Sequence, residues 1–127
     1  MLPRASRLRS SADFRATTRQ GVRVGRPTLV VHARLLSHSP PAAESTRVGF
    51  VVSKAVGNAV TRNQVKRRLR HLVAPMIPSF PQDVHMVIRA LPAAALEPER
   101  VADDLAGAVS SCLKRLGTPQ PGAGSPA

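Results

Sequence analysis

The sequence predicts a single α+β domain: a sandwich of a roughly four-stranded sheet with three helices, in the order αβββαβα. Three observations lead there. The chain has 127 residues, enough for one hydrophobic core and no more. Short β-rich runs lie at 22–36, 47–53 and 84–89, whereas 58–73 and 101–116 carry the spacing of amphipathic helices. Prolines cluster between these segments, at 40–41, 75–81 and 92–98.

Residues 1–9 read as a basic, extended arm. Ser10-Ser11-Ala12-Asp13 fits a capping box, so a short helix is expected from Ser11 to Gln20, closed by Gly21. Its one large apolar residue is Phe14. Val22 and Val24, a break at Gly25 to Pro27, and Leu29-Val30-Val31 leading to Leu35-Leu36 predict a hairpin or bent ribbon. Ser37 to Thr46 is a polar loop, and Arg47 to Ser53 a buried strand in which Phe50 is core. Asn58 is a reasonable N-cap for a helix running to Val73 and stopped by Pro75 and Pro78. Pro78 to Gln82 reads as a turn, Val84 to Arg89 as a strand, and Pro92 to Glu97 as a linker. The position of Phe80, core or surface, is not decided. In the last helix Val101, Leu105, Ala108, Val109, Cys112, Leu113 and Leu116 form one apolar stripe. Pro98 falls in its first turn, and its terminal charges suit the dipole. Residues 117–127 read as a disordered tail.

Charge narrows the function. Lys plus Arg number 19 against seven acids, a net +12, and 16 of the 19 are Arg. Such an excess on a short chain calls for an anionic partner. From Ser45 to Gln82, 38 residues, there is no acid, while Arg47, Lys54, Arg62, Lys66, Arg67, Arg68 and Arg70 all fall there. No apolar run is long enough to span a membrane. Residues 1–20 hold five arginines without an apolar stretch, which speaks against a signal peptide. The single Cys112 leaves no internal disulfide or thiolate zinc site and reads as core. Met76 and Met86 read as packing. His32, His38, His71 and His85 follow no ligand spacing, and Asp83, Asp103 and Asp104 are the poor best candidates for a metal nuclease, the last two reading as dipole-matching surface charges. A cytoplasmic polyanion-binding protein without a catalytic or metal site of its own is the expectation.

On the middle helix, Val65, Leu69, Leu72 and Val73 gather within about 100° of the wheel. Asn63, Lys66, Arg67 and Arg70 fall on the other side, and Arg62 and Arg68 flank the apolar stripe. The result is a cationic ridge about two turns long. Asn58 and Lys54 lie just before it. Phosphates along a nucleic-acid strand are its natural complement.

Arg47 to Arg70, RVGFVVSKAVGNAVTRNQVKRRLR, strongly resembles the signature of the bacterial ribonuclease P protein family. Ser53, Lys54, Gly57, Asn58, Ala59, Val60, Arg62, Asn63, Lys66, Arg67 and Arg70 match it, as do Arg7-Leu8, Asp13-Phe14 and the strand at 83–89. Gln64 stands where the family often has a second Arg. The resemblance implies a domain over 1–116. It also implies the fold of the second domain of the fifth small-subunit ribosomal protein, with a left-handed strand–helix–strand crossover; general handedness rules favour the right-handed form in about 98% of cases.

By the same resemblance, a large RNA is the endoribonuclease that removes the 5′ leader of precursor tRNA, with Mg²⁺ required by the RNA and no cofactor in the protein. The protein, one per RNA, binds that RNA and broadens its substrate range. Carried over by position, Lys54, Asn58, Arg62, Asn63, Lys66, Arg67 and Arg70 contact RNA. Phe14, Arg62, Asn63, Lys66 and Arg70 border a leader cleft between the first helix and the sheet. Thr18, Thr28 and Val31 stand where cleft aromatics are common, so leader binding is expected to be more electrostatic. Two other readings predict different behaviour: a ribosomal-type RNA-binding module would not stimulate leader removal, and a stand-alone nuclease would cleave unaided. A helix-turn-helix DNA binder lacks the preceding helix.

Overall fold

The computed structural model describes residues 8, 11–35, 46–80 and 84–116. The chain runs through α1 (Ser11–Gln20), β1 (Val22–Gly25), β2 (Leu29–Leu35), β3 (Arg47–Val51), α2 (Ala59–Val73), β4 (Val84–Ala90), α3 (Ala93–Leu96) and α4 (Val101–Arg115). Short 3₁₀ segments precede α2 (Lys54–Val56), follow it (Ala74–Ser79) and lead into α4 (Pro98–Arg100). The four strands form one mixed sheet in the order β1-β2-β4-β3. β1 with β2 and β2 with β4 are antiparallel, and β3 lies parallel to β4, so α2 is the crossover between two neighbouring parallel strands.

Register divides the sheet into two faces. Leu29, Val31 and Ala33 of β2 align with Ala90, Ile88 and Met86 of β4, and Val48 of β3 sits beside Met86. Together with Leu69 and Val73 of α2 and Leu105, Cys112 and Leu113 of α4, they make the main core. Each of these side chains is almost wholly withdrawn from water. Burying one of the larger of these, such as Ile88 or Leu69, contributes about 1.5–3 kcal/mol. On the other face Val30, His32 and Arg34 align with Arg89, Val87 and His85, and beyond these lie Val51, Gly49 and Arg47. Helix α1 covers part of that second face, against β2 and β4. Val84 to Ile88 is consequently buried without interruption, as a strand covered on both sides must be.

Several expectations take a different form. The expected linker at 92–97 holds the short helix α3, and the turn carrying Pro98 is a separate 3₁₀ segment before α4. Leu8, assigned to the arm, is buried, and its N–H donates to the Val48 carbonyl at 3.0 Å, covering the outer edge of β3. Asp104 does more than match a dipole. Its Oδ2 accepts from the Thr28 N–H (3.1 Å) and hydroxyl (2.6 Å), tying α4 to the β1–β2 turn. Phe80 is buried in the main core, and Phe50 packs against it. Cys112 is buried and donates to the Val31 carbonyl at 3.4 Å; burial pushes its thiol pKa up to about 11. Ser10 of the capping box, the remainder of the arm, Asp83 and the tail lie outside the described residues.

Candidate nucleic-acid interface

Helix α2 begins where its sequence says it should. The Asn58 Oδ1 accepts from the Thr61 N–H at 2.9 Å, and the Asn58 carbonyl accepts from Arg62 N–H at 2.8 Å. Asn58 therefore has a defined structural task, capping the helix that carries the basic ridge. Before it, Gly57 has φ +157°, and an added Cβ would come within 2.9 Å of Thr61 Cγ2, so glycine suits both the backbone and the space. Val56 anchors the preceding turn in the core and leaves Lys54 exposed.

The apolar stripe of α2 fixes which way its charges point. Val65, Leu69 and Val73 are buried, so Asn63, Lys66, Arg67 and Arg70 turn away from the sheet. With His71 they line a groove of about 470 Å³. Lys66 and Arg70 are half-buried, and Asn63 and Arg67 are exposed. Long cationic side chains bury their methylene stems along apolar surface and keep their charged heads in water. Arg62 lines neither this groove nor the one under α1. It is half-buried, and its Nε is enclosed without a hydrogen-bond partner among the described residues. Arg68 is exposed on the far side of the stripe.

A second groove, of about 380 Å³, lies between α1 and the sheet, lined by Ser11, Phe14, Arg15, Thr18, Val51 and Arg89. Phe14 is seated there by Gly49: a Cβ at that position would overlap the ring, reaching within 2.7 Å of Phe14 Cε1, and would press on Leu8. The ring stays half-exposed. Around it the sheet face is basic. Arg34 is paired with Asp13, the sole acid of α1, at 4.0 Å. His32 is buried on this face, and burial, with the positive charges of Arg89 and Arg23, lowers its pKa.

The residues that the resemblance groups around one cleft thus lie on two grooves, Phe14 under α1 and Asn63, Lys66 and Arg70 on α2. Of the three positions expected to lack cleft aromatics, only Thr18 lines the groove under α1. Thr28 is buried at the Asp104 tie, and Val31 is in the main core. Arg15, Arg89 and His71 line these grooves and are not among the site residues expected from the sequence. Arg89 was within reach: it follows the core residue Ile88 in a strand, and alternation alone puts it on the opposite face. Among the described residues no three of His, Cys, Asp and Glu come together as metal ligands. No helix among them is long and apolar enough to cross a membrane.

Comparison with known proteins fits this architecture. The family model described as Ribonuclease P matches residues 2–117. The ribonuclease P protein component of Nocardioides sp. is 54% identical over 117 residues, covering 92% of this chain and 96% of the relative. That of Kocuria rhizophila is 50% identical, covering 91% and 98%. The solved RNase P protein of Staphylococcus aureus superimposes with a TM-score of 0.68 at 25% identity, covering 82% of this chain and 92% of that one. For the RNase P protein of Thermotoga maritima the TM-score is 0.65 at 25% identity, over 80% and 92%. A mixed four-stranded sheet, a capped helix bearing a cationic groove, and these matches along nearly the whole length lead to one conclusion: the chain belongs to the ribonuclease P protein family.

Proposed function

We propose that the chain is the protein subunit of a ribonuclease P, binding the catalytic RNA through α2 and assisting removal of the 5′ leader from precursor tRNA. The observation that carries the reading is the groove of Asn63, Lys66, Arg67 and Arg70, set in a 38-residue stretch without a single acid. Arg can engage two phosphate oxygens at once and Lys acts as a point charge, so the groove suits a phosphodiester backbone. The α1 groove, with one half-exposed aromatic ring beside Arg15 and Arg89, suits a single-stranded leader: the ring offers one stacking surface, and the guanidinium groups follow the backbone. Hydrolysis, with its need for Mg²⁺, belongs to the RNA in this reading. The protein supplies charge neutralisation and substrate grip.

The test is leader removal in three tubes at low magnesium: protein alone, catalytic RNA alone, and both. The reading requires cleavage only, or far faster, in the third. Cleavage by protein alone would mean a nuclease centre in the chain, and equal rates with and without protein would mean that it serves another RNA.

A further inference from the structure

At the β1 edge of the sheet lies a basic surface that the α2 groove does not include. Register decides which peptide groups of β1 face outward. The Arg26 N–H donates to the Leu29 carbonyl at 2.8 Å, making 26 and 29 a hydrogen-bonded pair. Counting back along β1, Val24 and Val22 bond to β2, and Arg23 and Gly25 turn their carbonyls away from it.

Both outward carbonyls are occupied by arginine. Arg115 Nη1 donates to the Arg23 carbonyl at 2.9 Å, and Arg26 Nη1 donates to that of Gly25 at 3.1 Å. Arg26 Nη2 also donates to Ser111 Oγ at 3.3 Å, and its guanidinium passes close over Gly107. Gly107, Ser111 and Arg115 recur every four residues, so one stripe of α4 follows this edge. Two residues of extended chain separate the capped carbonyls, about 7 Å.

Neither guanidinium meets a carboxylate among the described residues. Arg34 and Arg100 have acidic partners, and Asp104, on the same helix as Arg115, directs its Oδ2 to Thr28. A guanidinium has five donors, so each keeps N–H groups for an anion while its caps hold it in place. Lys114, beside Arg115 on α4, is exposed as well.

We propose that Arg26 and Arg115 form a second phosphodiester-binding surface for RNA, at the edge of the sheet opposite β3, next to which α2 packs. The proposal rests on the reading of the chain as an RNA-binding subunit and adds a second, separate contact. It differs from simple protection of a strand edge, which needs hydrogen-bond donors but no charge.

The deciding variant is Arg26→Gln with Arg115→Gln, which keeps amide donors and removes both charges. Affinity is measured against salt in two arms: catalytic RNA alone, and precursor tRNA with an extended leader added to the preformed complex. The proposal expects the slope of log affinity on log salt to flatten by about 1.4–1.8 in one arm. A weakening in the first arm assigns the strand to the catalytic RNA, and a weakening in the second to the leader. Unchanged slopes in both arms overturn it.

Lys66→Ala with Arg70→Ala, measured in parallel, separates the two readings. If only that pair flattens the slope, the edge proposal fails and the α2 reading stands. If that pair has no effect, the α2 reading fails on its own account. Should the glutamine variant not fold, dicarbonyl modification of the unaltered protein decides the matter. Protection of Arg26 and Arg115 by RNA supports the proposal, and undiminished reactivity of both overturns it.

Discussion

Replacing Lys66 and Arg70 together by Ala should change how RNA binding responds to salt, and by a calculable amount. Both side chains line the same groove and are half-buried, so each presents its charge to whatever occupies that groove. Each phosphate left without its cation reduces the slope of log affinity on log salt by about 0.7 for single strands and 0.9 for duplex. Two phosphates amount to about 1.4–1.8. Between about 50 and 200 mM salt, a fourfold change, the affinity deficit of the variant should therefore shrink about seven- to twelvefold. The assay is filter binding of catalytic RNA at four or five salt concentrations, with thermal unfolding run alongside. The fold should be unaffected, because neither side chain belongs to the core. Parallel lines for variant and parent, with binding intact, would show that this groove does not face phosphates.

Other consequences concern the scaffold. Asp104→Ala removes the acceptor for the buried Thr28 N–H and hydroxyl and should cost about 2–4 kcal/mol in urea unfolding, since hydrogen bonds to charged groups contribute about 1.5–3 kcal/mol each and are not additive; a change under about 0.5 kcal/mol would show the tie to be idle. Val65→Asp places a carboxylate on the packed stripe and should abolish the native circular dichroism spectrum, whereas Gln64→Asp, one position away and exposed, should leave it unchanged. His32 has a folded pKa below 6.5, so the unfolded chain binds its proton more readily. Stability attributable to it is present above pH 6.5 and falls as pH drops towards the folded pKa. His32→Asn should flatten that acid-side slope in urea titrations, and an unaltered slope would remove His32 as its source.

What was legible in the sequence follows the range of the signals. Helix α2 was readable because Asn58 caps it locally and its charges repeat at the helical period; the same holds for the stripe of α4. Helix α3 was not, because four residues between Pro92 and the Glu97-Pro98 turn are too short to show a period. The tie between Thr28 and Asp104 joins residues 76 apart, and nothing near either one announces the other. The faces of the sheet hang on parity. Val31 lies in the core because it shares a face with Leu29 and Ala33, and a slip of one residue would have put it under α1 with His32. The groove beneath α1 draws on α1, β3 and β4, so its lining could be assembled only once the strand order was known. The basic ridge, carried by a single helix, needed no such knowledge.

The most direct test of the account attaches a hydroxyl-radical source beside the ridge. Gln64 is exposed on α2, outside the residues that line the groove, and the native Cys112 is buried, so a Gln64→Cys variant takes the probe at one place. Bound to catalytic RNA, it should cut a few clustered nucleotides, and the cuts should vanish when unlabelled protein competes. Cutting spread evenly along the RNA, or none at all while the complex remains intact, would mean that α2 faces away from the nucleic acid.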